Sequence, residues 1–133
     1  MTSQSVPDTV PSSFGGTLPE YVVYITLVRL GKQPDVDFTY QSSQFGGRME
    51  RGGLVVDFLF YNPPDLAIGV QGVYYHYGFG TQTIARDRMA REQLAGQGVS
   101  LIFIDEDDVL TDPVFYVREA LNYNDHSRLA KGT

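Results

Sequence analysis

Apolar positions recur along the chain with a changing period, and the changes mark the elements. In "TLPEYVVYITLVRLG" the apolar residues cover most of a helical circumference, which predicts a well-buried helix. Thr17 suits its N-cap, Pro19 its first turn, and Glu20 stands three residues after Thr17 as in a capping box; Gly31 ends it. "VDFTYQSSQ", Val36 to Gln44, alternates and is rich in aromatic and β-branched residues, the pattern of a strand. A glycine-rich turn, "FGGRMERGG", leads to the apolar run "LVVDFLFY", and "NPPD" separates that run from the strand "LAIGV", Leu66 to Val70. The short links predict a meander of three antiparallel strands.

"TQTIARDRMAREQLAGQ", Thr81 to Gln97, has helical composition with Ile84, Met89, Leu94 and alanines on one face, closed by Gly96 and Gly98. "VSLIFID" is a continuous apolar strand of the kind buried in a parallel pair. Asp112 caps a last helix that begins at Pro113. The predicted order is α-β-β-β-α-β-α, without internal repeats. Residues 1–16, rich in Ser, Thr, Pro and Gly, are expected to form a flexible arm, residues 17–122 a single α+β domain, and residues 123–133 a loose polar tail.

With 133 residues, 42% of them hydrophobic, the chain can bury one core. The absence of cysteine excludes disulfides, thiolate metal sites and a thiol nucleophile. No apolar run approaches the ~20 residues of a membrane span, and the first residues lack a secretory pattern, so a cytoplasmic protein is expected. The net charge of −6 argues against tight, non-specific binding of nucleic acid. It leaves room for an enzyme whose carboxylates hold metal while arginines gather locally, as Arg48 and Arg51 do, and then Arg86, Arg88 and Arg91.

Chemistry concentrates at a few positions. Asp57 interrupts an apolar run, so its carboxylate must be paired, metal-bound, protonated or turned to solvent. "LAIGVQGVYYHYG" carries a buried-looking strand into Gln71, tyrosines and His76, which is either a loop-entrance surface residue or a site histidine. Glu20 has a sufficient role in the capping box, although a first-turn glutamate can serve twice. The amide of Gln71 is a weak neutral metal ligand or an ordinary hydrogen bonder. Asp87 and Arg91, at i and i+4, suit a surface ion pair. There is no Ser-His-Asp arrangement, phosphate-cradling glycine loop or zinc motif of the HExxH type.

Together these pieces resemble the PD-(D/E)XK nuclease superfamily, in particular its very-short-patch-repair-like branch with the DUF559-type domains and the EDxHD homing endonucleases. The resemblance spans roughly Thr17 to Leu121. It matches Glu20 in "LPEYVVY", Asp57 in "VVDFLF", His76 after "AIGVQGVYY", the Asp87–Arg88 pair in "ARDRMAREQLAGQG", and Gln41 in "YQSSQ". Where many relatives read "IEVDG", with two acids, this chain has Gly69 and Gln71, and Val73 stands at the superfamily's lysine.

The resemblance implies a restriction-endonuclease-like α+β fold and DNA hydrolysis assisted by Mg²⁺ (or Mn²⁺), of homing or repair type and associated with a phage or mobile element. It implies Asp57 and Gln71 at the metal and Glu20, Asp57, His76 and Asp87 in catalysis. Gln41, Arg48, Arg51, Arg86 and Arg88 are expected at the DNA, with a second copy or a partner protein supplying specificity. The competing expectation is a nuclease-fold protein that no longer cuts, a DNA-binding or structural component. A weaker third is an interaction domain using Tyr74, Tyr75 and Tyr77 as a contact patch.

Overall fold

The computed structural model describes residues 6–40, 50–51, 54–55, 57–72 and 81–130; for residues 50, 51, 54, 55, 81–84 and 86 the description is of backbone alone. The elements in chain order are α1 (Leu18–Arg29), β1 (Phe38–Tyr40), β2 (Glu50–Arg51), β3 (Leu54–Val55), β4 (Phe58–Phe60), β5 (Leu66–Gln71), α2 (Thr81–Gly96), β6 (Ser100–Asp105), α3 (Glu106–Thr111) and α4 (Pro113–Leu121).

The main sheet has the order β1-β4-β5-β6. β1, β4 and β5 form the antiparallel meander that the short links predict, and β6 lies parallel to β5 after the α2 crossover. Alternation then divides the core. Phe38, Phe58, Phe60, Leu66, Ile68, Ile102 and Ile104 face α1, α3 and α4, where Val22, Val23, Leu27, Val109 and Val117 meet them. Leu59, Ala67, Leu101 and Phe103 face the other way, toward Leu94 and Ala90 of α2. α1 begins as its sequence dictates: Thr17 accepts from Glu20 N and the Glu20 side chain answers to Thr17 N, a complete capping box.

Three local expectations change. The run "LVVDFLFY" is not one strand: β3 pairs with β2 in a separate two-stranded sheet, and the chain bends at Asp57 before β4 joins the main sheet. The Asp57 carboxylate accepts the Val70 N–H at 2.9 Å. A side chain takes that donor in place of a strand carbonyl, which ends the β4–β5 ladder there. The acidic run "EDDVLT" forms an additional short helix, α3, before Asp112 caps α4 through Phe115 N.

The tail after Asn122 is the third. Its described part, residues 123–130, packs beside β6, an edge strand of the sheet. Asp125 Oδ2 accepts from Phe103 N (3.0 Å) and its Oδ1 from Ser127 N (2.8 Å). Arg128 N donates to Asp105 Oδ2, and Leu129 inserts beside Leu94 and Phe103. The tail thus satisfies an edge that would otherwise present unpaired backbone groups. His126 sits here with Nε2 2.8 Å from the Glu119 carboxylate and its ring against Phe115 and Tyr116. Ahead of α1, the described part of the expected arm, residues 6–16, also packs, with Val6 on the core and Phe14 among the tyrosines of α1 and β1.

If the tail guards the edge, its contacts must be measurable in urea denaturation. Leu129→Ala is expected to cost about 2–5 kcal/mol, the range for emptying a buried leucine site. Asp125→Ala, which strands the Phe103 N–H, is expected to cost about 1–3 kcal/mol. Unchanged midpoints for both variants would refute this role.

A candidate active site at one end of the sheet

Strand direction gathers the expected site residues. β1 ends at Tyr40, which pairs with Phe58 at the start of β4. β5 ends at Gln71, level with Asp105, the last residue of β6. α2 returns between two parallel strands, so its first turns lie at the same end. Asp57, the last residues of β5, the first turns of α2 and the start of α1 therefore share one end of the molecule.

On the α2 side, the Asp57 carboxylate reaches Val70 N, one residue before Gln71. Gln71 is 2% exposed, and its Oε1 is a buried acceptor with no hydrogen-bond donor among the described residues. Such an atom requires an explanation, because an unpaired buried acceptor costs about 1–3 kcal/mol. Asp87 is half-buried and lies three and seven residues before Ala90 and Leu94, on the stripe of α2 that faces the sheet. Seven helical residues rise about 10 Å, about three strand residues. That carries the stripe from the level of Leu94 to that of the strand ends. Arg88 follows on the same helix, also half-buried.

On the α1 side, Glu20 is 7% exposed. Its Oε1 takes the Tyr40 hydroxyl at 2.6 Å as well as Thr17 N. Tyr40 packs on Phe58, centroids 4.9 Å apart, next to Asp57 in the chain. A short series of contacts, Glu20 to Tyr40 to Phe58, thus leads round the sheet end toward Asp57. Gly16 is required beside it: a Cβ there would collide with the Tyr40 hydroxyl and come within 2.6 Å of the Phe14 ring and 2.8 Å of Glu20 Oε1.

His76, Gln41 and Arg48 lie outside the described residues, as do Tyr74, Tyr75 and Tyr77; Arg51 and Arg86 are described only as backbone of β2 and α2.

The sequence reasoning passed over the acids of "FIDEDD". Asp105, Asp107 and Asp108 bring carboxylate oxygens within 4.8 Å of one another at the end of β6. Arg128 already answers this charge, with Nη1 3.1 Å from Asp105 Oδ2 and from Asp107 Oδ1, and Nη2 2.6 Å from Asp107 Oδ2. The guanidinium holds the Asp107 carboxyl below the usual carboxylate range and raises its own pKa. The run of four acids in the sequence was the available signal; the arginine that neutralises them comes from 21 and 23 residues away.

Gly69 also has a structural cause. A Cβ at this position would lie 3.1 Å from two atoms of the Phe103 ring, itself buried beneath α2. A side chain at position 69 would need the Phe103 ring to shift.

No protein-family model matches the chain, and no curated protein matches it. Among solved structures, the chain is similar to the catalytic domain of the homing endonuclease I-Bth0305I, with a TM-score of 0.57 and 21% identity over 79% of this chain and 91% of that one. The chain shares the fold of that domain: an α+β architecture whose mixed four-stranded sheet is flanked by helices. No helix among the described residues is long and apolar enough to cross a membrane.

Two outcomes check this geometry. Gly69→Ala is expected to cost about 1–3 kcal/mol by overpacking, and less in a Phe103→Leu background; additive costs in the double-mutant cycle would disprove the contact. Asp107, with its carboxyl depressed from 3.8 by Arg128, contributes stability above the ordinary carboxylate range that is lost as pH falls toward its lower native value. Asp107→Asn is expected to flatten that acid limb in urea titrations between about pH 5 and pH 2.

Proposed function

We propose that this chain is a divalent-metal-dependent endodeoxyribonuclease related to the very-short-patch-repair and EDxHD homing branch of the PD-(D/E)XK superfamily. The observation that carries the reading is the Gln71 Oε1 atom, buried without a donor among the described residues. It belongs to the residue after the one whose N–H binds Asp57, at the end of a nuclease-fold sheet. A carboxylate and an amide oxygen are hard donors of the kind Mg²⁺ or Mn²⁺ takes, so the donor set fits, with few charges of its own. The likeness to a homing endonuclease catalytic domain supports the same reading.

Asp57 and Gln71 would hold the ion, which when bound would supply charge neutralisation at the scissile phosphate and lower the pKa of water there. His76 accepts the proton of the attacking water as the phosphorus–oxygen bond to the leaving group breaks, and Asp87, on the sheet-facing stripe of α2, orients that imidazole. Glu20 contributes its second oxygen to water at the α1 side, Oε1 being committed to Tyr40 and Thr17. Gln41, Arg48, Arg51, Arg86 and Arg88 meet the DNA backbone, and a second copy or a partner protein supplies specificity. The setting would be a phage or mobile element, and the compartment the cytoplasm.

A second reading has an observation of its own. With Phe103 in the space beside Gly69 and a neutral amide at position 71, the strand offers no acid between Asp65 and Asp87. That favours a nuclease-fold DNA-binding or structural protein that has ceased to cut.

One variant separates the two. In Asp57→Asn the side-chain amide oxygen can still accept the Val70 N–H, so the variant is expected to keep the fold. It is expected to abolish Mg²⁺-dependent nicking of plasmid DNA, a loss of at least about a hundredfold. Cleavage that survives in D57N rejects the assignment. Absence of cleavage in the unaltered chain, with no calorimetric heat from millimolar Mg²⁺ or Mn²⁺, selects the non-cutting reading.

A further inference from the structure

A pocket of about 400 Å³ opens on the α1 face, lined among others by Phe14, Tyr21, Tyr24, Pro34, Asp35 and Tyr40. Its rings form one array. Phe14 stacks on Tyr40 (4.7 Å, 18° between planes) and meets Tyr21 and Tyr24 edge-on at 5.1 and 5.4 Å. All four rings are half-buried, so part of each remains open to the pocket. Pro34 adds an apolar wall, and Asp35, at a left-handed φ of 65°, places an exposed acid at the rim.

We infer that this pocket receives a nucleobase of the DNA strand whose backbone passes the Asp57–Gln71 end of the sheet. The inference rests on the reading of the chain as a protein that acts on DNA. Three features select a base. Open aromatic rings offer stacking to any flat heterocycle. Among the described residues neither lysine nor arginine lines the pocket, and Asp35 repels a phosphate, so the neutral ring enters while the backbone stays outside. The carboxylate at the rim accepts from an exocyclic amine, which cytosine and adenine carry and thymine lacks. Tyr40 joins the two places, since its ring lines the pocket and packs on Phe58, the residue after Asp57. A base held here requires a single-stranded, frayed or unstacked nucleotide, because a paired base cannot leave the stack without cost. The substrate class this favours is DNA with such a nucleotide next to the scissile bond.

The experiment uses the full chain in EDTA, where no cleavage occurs, with short single strands at low ionic strength. One strand carries 2-aminopurine at its centre, a second an abasic site there, and two more a central cytosine or thymine. The aminopurine emission is expected to be quenched on binding, and the intact strands to bind about tenfold more tightly than the abasic one, in line with one base–aromatic stack. Tyr21→Leu is expected to erase that difference. Asp35→Asn, which keeps a residue tolerant of left-handed φ, is expected to erase the preference for cytosine over thymine. Circular dichroism and melting temperature confirm that both variants are folded.

Equal binding of intact and abasic strands, no binding at about 100 µM, or a response to a proline-rich peptide without one to any oligonucleotide each overturns the inference. Base-dependent binding by a chain that never cuts leaves the pocket standing and the nuclease reading fallen. Metal-dependent cutting with equal binding of abasic strands does the reverse.

Discussion

The hydrogen bond from Val70 N to the Asp57 carboxylate stands where the pairing of β4 with β5 stops. Upstream, the chain belongs to a different pair of strands; downstream, Phe58 to Phe60 run in register between β1 and β5. A strand carbonyl in the carboxylate's place would let the ladder continue. The carboxylate instead ends the pairing and is itself held where the last residues of β5 emerge. An acid in an apolar run is costly unless it is paired, and here the partner is a backbone donor of the neighbouring strand. One contact thus fixes both the limit of the fold and the position of the residue on which the proposed chemistry depends.

The opposite face depends on an aromatic array built around the same strand ends. Phe38, Phe58 and Phe60 pack into the core, while Tyr40, two residues along from Phe38, turns its hydroxyl to Glu20 and its ring to Phe14. Glu20 is thereby satisfied three times over as cap and acceptor: by Thr17 N, through the Thr17 side chain that its own N–H meets, and by Tyr40. The capping role that its spacing announces is present in full. What the spacing could not announce is the tyrosine, brought from 20 residues away by strand pairing.

Elements whose cause is local were legible in the sequence. The β4–β5 pairing follows from its short link, the caps of α1 and α4 from Thr17 and Asp112, and the buried parallel strand from an unbroken apolar run. The errors arose where a distant partner changes the outcome. "LVVDFLFY" has the composition of one strand, but Val70 claims its aspartate and divides it. The polar tail has the composition of a loose end, yet Asp125 and Arg128 find the edge of β6 and Leu129 the core below α2. Of the expected site residues, strand direction brings Asp57, Gln71 and Asp87 to one end of the sheet, and their roles remain those proposed. That Arg128 would neutralise the acids after β6 was hidden, because nothing near position 105 in the sequence signals an arginine 23 residues later.

Charge then sets the terms on which this end could meet a phosphate. The protein carries a net charge of −6, and Glu20, Asp57, Asp105, Asp107 and Asp108 all lie near the strand ends. Arg128 offsets the last group from within the fold, so those acids add little to a site for an added ion. Asp57 and Gln71 are different, because an amide oxygen buried without a donor among the described residues has the character of a place kept for a cation or a donor from outside. A strand with two acids in these places would bind a metal by charge before DNA arrives. On the proposed reading a strand with glycine and glutamine would hold it weakly, and the phosphate itself would have to complete the coordination. Metal affinity would then rise when DNA is present, and DNA affinity when metal is present, by the same factor. The packing of Phe103 against Gly69, which removes one acid, is therefore also what would make metal and DNA binding depend on each other.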